Sequence, residues 1–222
     1  MGSAIGQSLP VAVGVLISPL PIVAVVLMLV SRRATVNATA FLLGWFLSIT
    51  VVALLVAVLV GSASTDDGGP PAWAAWVKIV LGVLLVLLAV KQWRGRPRAG
   101  AEPETPQWMQ AIDAFTPVRA FGLAVLLSAV NPKNLLLVVS GGAAIASASS
   151  DTTEQVVASI VFALVASIGV AVPVGVQLAA GERAGAVLDD LKGWMVQNNA
   201  VIMAVLLLVL GAKMVGDGIS AI

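Results

Sequence analysis

Six apolar stretches follow one another along this chain: Pro10 to Val30, Ala38 to Val60, Trp73 to Val90, Phe121 to Ala146, Val156 to Leu178 and Val201 to Val215. A helix needs about 20 such residues to cross a hydrocarbon core about 30 Å thick. The last stretch is short and is completed by Ala200, Gly216 and Ile219. Lipid offers no water to backbone N–H and C=O groups, so each stretch must satisfy its own backbone, which a helix does within one segment. The expected fold is an all-α polytopic membrane protein with six transmembrane helices. Only 10% of the residues are charged, against about 25% in soluble domains. No connection can hold a separate globular domain, so residues 1–222 read as a single transmembrane domain, and any function sits within the bundle.

Charge sets the expected orientation. Arg32 and Arg33, then Lys91, Arg94, Arg96, Arg98 and Arg119, then Arg183 and Lys192 occupy alternate connections, whereas the connections with Asp66, Asp67, Asp151 and Glu154 carry no basic residue. Short basic loops stay cytoplasmic, so both termini are expected outside a plasma (inner) membrane protein. The first basic residue is Arg32, so the first span lacks the positive start of a cleavable signal and is expected to remain. Lys78 and Lys213 lie toward the outer ends of their spans and read as interfacial anchors. Two cytoplasmic stretches, Thr105 to Thr116 and Ala184 to Val196, place apolar residues at helical spacing opposite polar ones and are expected to lie on the inner leaflet.

Asn131-Pro132-Lys133-Asn134 interrupts the fourth span. Pro132 removes a backbone donor and clashes with the carbonyl four residues back, which breaks the helix and frees polar groups. Lys133 lies a dozen residues past Phe121, where the span begins just after Arg119, about 18 Å along a helix. An ammonium at that depth costs about 3 kcal/mol and is expected to face protein or a wet cavity. Ser18-Pro19-Leu20-Pro21 interrupts the first span in the same way. The two breaks are 113 residues apart, and Val83 to Lys91 in the third span resembles Val205 to Lys213 in the sixth at an offset of 122. The members of each pair are three spans apart, an odd step, so the halves are expected to be two inverted three-helix repeats, with helices 1 and 4 broken at proline. Repeat 1 covers about 8–93, a cytoplasmic connection with an interfacial helix covers 94–119, and repeat 2 covers about 120–219. Paired breaks of this kind point to a transport site at the repeat interface. The candidate substrate pathway is Ser18, Pro19, Pro21, Asn131, Pro132, Lys133 and Asn134. Gly14, Gly44, Gly141, Gly142 and Gly169 are expected at close helix approaches.

The Pro-x-Pro break in the first span and Asn-Pro-Lys in the fourth resemble the lysine-exporter superfamily of small six-helix exporters. Ile17-Ser18-Pro19-Leu20-Pro21-Ile22, Asn131-Pro132-Lys133-Asn134-Leu135 and Gly211-Ala212-Lys213-Met214-Val215-Gly216-Asp217-Gly218 are similar to the actinobacterial glycolipid-addressing, sulfolipid-1-addressing subfamily. That resemblance implies export of a glycolipid, alone or together with a larger lipid-exporting permease. Leu20 stands where the amino-acid exporters of the superfamily usually carry glycine, and its bulk restricts close backbone approach to a small zwitterion.

The helix ends at both breaks, with Ser18, Asn131, Asn134 and Lys133, suit an anionic or polar headgroup better than a cation. Membrane lipids and a glycolipid substrate are the expected partners, and a homo-oligomer is compatible with the sequence. Export of amino acids or other small metabolites is the alternative, and a non-transporting scaffold for a larger permease is the third reading. No acidic residue lies in the core of any span, which leaves Lys133 as the candidate for energy coupling. The chain has no Cys, His or Tyr, and no nucleophile with a neighbouring base, so an enzyme is not expected. No cofactor or metal is implied, and a formal charge of +1 offers no footprint for nucleic acid.

Overall fold

The computed structural model describes residues 1–29, 31, 33–62, 72–96, 114–181 and 184–220. Its helices are α1 (Gly2–Leu16), α2 (Pro19–Leu29), α3 (Ala34–Ser62), α4 (Ala72–Arg94), α5 (Pro117–Val125), a π-helical turn (Leu126–Val130), α6 (Pro132–Ala148), α7 (Thr152–Ala180) and α8 (Ala184–Ile219). No strand occurs among the described residues. Among the described residues, four single helical segments are long and apolar enough to cross a membrane: Ala34–Gly61, Ala75–Arg94, Thr152–Ala180 and Gln197–Ile219. Two further pairs qualify only when taken together, α1 with α2, bent by 54°, and Pro117–Val130 with α6, bent by 67°. The chain is thus a helical membrane protein with four to six candidate spans.

Local sequence explains where helices begin. Thr116 accepts from Arg119 N at 3.4 Å, with Pro117 at the first helical position. Asp151 Oδ1 accepts from Glu154 N at 2.9 Å. Both are N-caps that satisfy donors a helix start leaves free. Asn37, in the first turns of α3, donates through Nδ2 to Phe115 O at 3.0 Å, which ties the entry to α5 against α3.

The bundle has two ends. Gly82 lies against Gly211 and Gly218 lies against Ala75 and Ile79, so α4 and α8 run antiparallel with their backbones nearly touching. The start of α4, the end of α8 and Met1, whose amino group pairs with Glu154 at the start of α7, share the end that carries the chain termini. Arg33, Lys91, Arg94, Arg96 and Arg119 lie at the opposite end. Between the ends, α3 buries Phe41 and Trp45, stacked with ring centroids 6.3 Å apart, and turns Leu43, Leu47, Val51 and Leu55 outward.

Gly14, Gly44, Gly141, Gly142 and Gly169 all lie at close approaches: a Cβ at Gly44 would be 2.8 Å from Phe121 O, and one at Gly142 would be 2.6 Å from Ala53 O. Two expectations need correction. The first helix begins at Gly2, with Pro10 inside α1, because hydropathy locates lipid and not the end of a helix. The stretch Ala184 to Val196, expected as a separate interfacial helix, is the first part of the 36-residue α8. Nothing between it and the last span stops a helix. Asn198 continues the helix and donates to Trp194 O, one turn back, at 2.9 Å, and Gly193 alone costs only about 1 kcal/mol. The other expected interfacial helix, Thr105 to Thr116, lies outside the described residues except for its last three, which form no α-helix.

Candidate functional site at the helix breaks

The two bends meet. Ser18, in the gap between α1 and α2, donates through Oγ to Asn134 Oδ1 of α6 at 3.1 Å, and both residues are buried. This hydrogen bond joins positions 116 residues apart and brings the two interruptions together.

The second break has a definite cause. Asn131 N–H reaches back five residues to Leu126 O at 2.9 Å, which is the π register of the turn before it. In that register the donor for Leu127 O would come from Pro132, which has none. Asn134 Nδ2 takes its place and donates to Leu127 O at 2.7 Å. Asn131 turns its own side chain onto the new helix, where Oδ1 accepts from Lys133 N at 3.1 Å as the N-cap of α6. Ser128 Oγ, in the same turn, donates back to Ala124 O at 2.8 Å. The polar atoms here are therefore largely occupied in mending the backbone.

The first break is mended differently. Ser18 N–H donates to Val15 O at 3.0 Å, covering a carbonyl whose usual donor would have been Pro19. Pro19 and Pro21 are buried. Gly169 of α7 presses on the end of α1, and any Cβ there would overlap the Leu16 carbonyl oxygen. Pro173, four residues on and buried, denies the Gly169 carbonyl its own helical donor.

Among the sequence-derived residues, Ser18 and Asn134 are in direct contact and Asn131 stays within its own helix start. Pro132 is exposed. Lys133 is half-buried, and its ammonium has no hydrogen-bond or ion-pair partner among the described residues. Residue chemistry at the breaks thus combines a closed amide and hydroxyl clasp with one uncommitted cation. Reading the sequence missed the pairing of Gly169 with Leu16. It also missed Ser167 Oγ, which is buried on α7 with no partner among the described residues; a serine amid apolar helix gives no signal of that kind. Among the described residues, no group of three or more His, Cys, Asp or Glu could hold a metal ion.

The family described as Sap, sulfolipid-1-addressing protein matches residues 9–220, nearly the whole chain, and the protein belongs to that family. No curated protein and no solved structure gives a significant match.

Proposed function

We propose that this member of the sulfolipid-1-addressing family exports, or assists the export of, a polar-headed or anionic glycolipid across the plasma membrane. It works by alternating access between two inverted three-helix halves, as in the lysine-exporter superfamily. The first half is α1 to α4, with α1 and α2 as one broken span. The second is α5 to α8, with α5, the π turn and α6 as the other. The observation that carries this reading is the Ser18 to Asn134 hydrogen bond at 3.1 Å, which ties the two breaks to each other with the uncommitted Lys133 one residue away. The family's name supports a lipid as the substrate. Short connections cannot shield acyl chains from water, so the tails stay in the bilayer while the headgroup passes the breaks.

Replacing Lys133 by methionine tests this directly. Expected is loss of glycolipid from the cell surface with unchanged amino-acid efflux. Loss of amino-acid efflux with normal surface lipid would instead favour export of small metabolites. Surface lipid untouched by both Lys133→Met and Asn131→Ala would leave only a non-transporting scaffold. The absence of an acidic residue from the core of every span favours assistance to a larger lipid-exporting permease over autonomous pumping, with Lys133 as the one coupling candidate.

Both termini are extracytoplasmic in this reading, which the basic end of the bundle supports. A reporter fused after Ile222 should be active only outside the cytoplasm. Activity inside would overturn the orientation and leave the fold untouched.

A further inference from the structure

A second polar site lies away from the breaks, in a small cleft between α1, α4, α6 and α8 near the end that carries the termini. Lys78 of α4 and Lys213 of α8 both line it. Their relative position is fixed by backbone: Lys78 lies between Ala75 and Gly82, and Lys213 between Gly211 and Gly218, the residues at which α4 and α8 nearly touch. Two cations are thus held on adjoining helices by contacts that leave little room for adjustment.

Lys213 is paired with Asp217 on its own helix. Lys78 has no ion-pair or hydrogen-bond partner among the described residues, so the cleft carries an excess positive charge. Gln7 of α1 and the buried Ser140 of α6 add neutral polar groups to the wall. Ser140 Oγ donates to Leu136 O at 2.6 Å, which leaves its lone pairs free to accept from a hydroxyl. Val11, Ala144, Leu210 and Met214 make the rest of the wall apolar apart from Asp217, which lines it beside its partner Lys213. A site with an excess cation, hydroxyl acceptors and an apolar side is matched to an oxyanion attached to something amphipathic.

We propose that this cleft binds the oxyanion of a lipid headgroup, with Lys78 as its principal charge partner and Lys213 as the second. Ser140 is six residues from Asn134 on α6, about 9 Å along the helix, so the cleft is a station between the breaks and the membrane surface. As a step in export, this role rests on the proposed function; as a binding site, it does not.

The test uses the full chain in neutral detergent, with thermal stabilisation read against dioctanoylphosphatidylglycerol. Dioctanoylphosphatidylcholine serves as the lipid without net charge, and inorganic sulfate as the free oxyanion. Phosphatidylglycerol should bind and phosphatidylcholine should not. Lys78→Gln should weaken binding about tenfold or more, and Lys78→Arg should retain it. Lys91→Gln, at the far end of α4, should change nothing. Asp217→Asn removes the competing carboxylate and should tighten binding, a gain that misfolding cannot imitate. Sulfate without effect assigns the site to lipid headgroups, whereas Lys78-dependent competition by sulfate supports the oxyanion site and extends it to the free ion. Equal binding of both lipids, or Lys78→Gln binding like the parent chain, overturns the proposal. If Lys78→Gln binds normally while Lys133→Met abolishes surface glycolipid, the cleft fails and the export reading stands; the converse pair of results separates them the other way.

Discussion

Asn134→Leu is expected to destabilise the protein by roughly 2–5 kcal/mol, because it strands two buried polar groups at once. Leu127 O would lose the donor that replaces the one Pro132 lacks, and Ser18 Oγ would lose its acceptor. Thermal unfolding in detergent measures the loss. Asn134→Asp should do nearly as badly, since an ionised carboxylate accepts from Ser18 but has nothing to donate to a carbonyl. The contact between breaks can be isolated by a double-mutant cycle. Ser18→Ala alone leaves Asn134 Oδ1 without its donor, yet in the Asn134→Leu background it should be almost neutral. An unfolding midpoint for Asn134→Leu equal to that of the parent would rule out this account of the π turn.

Gly169→Ala carries the second large effect. A methyl at 169 would overlap the Leu16 carbonyl and come within 3.1 Å of Ile22 Cδ1. The isoleucine can turn away, but the carbonyl is backbone at the end of α1 and yields only if α7 moves off the break. Overpacking of this kind costs about 1–3 kcal/mol, and Gly169→Leu should give little folded protein. Gly175→Ala, on the same helix with open space around it, is the matched control and should be neutral or slightly stabilising. A melting curve unchanged by Gly169→Ala would mean that α1 and α7 are not packed in this way.

How much of this could be read beforehand depends on the kind of interaction. Pro132 is legible because its missing N–H is a property of one residue in any helix. The partner of the carbonyl it abandons is not, because choosing Asn134 over Asn131 requires knowing that Asn131 N–H reaches Leu126. Ser18 and Asn134 could each be named as polar groups at a break, but no local rule gives a bond across 116 residues. Gly169 could be marked as a close approach, while its partner, the carbonyl of Leu16, is a tertiary fact. The starts of α1 and α8 are not legible in hydropathy for one shared reason: apolar windows register where lipid begins, and a helix continues past that point until something stops it. Lys78 and Lys213 each look like separate surface anchors in sequence, and only the approach of Gly82 to Gly211 puts them into one cleft.

That approach bears on how the chain is made as well as on how it is held. Gly211 is synthesised about 130 residues after Gly82, a delay of roughly 6 to 26 s at ordinary rates of translation. During that interval the strip of backbone at Gly82 lacks the helix that covers it in the folded protein. The seam between α4 and α8 closes only when α8 arrives, so one wall of that seam is a helix made long before the other.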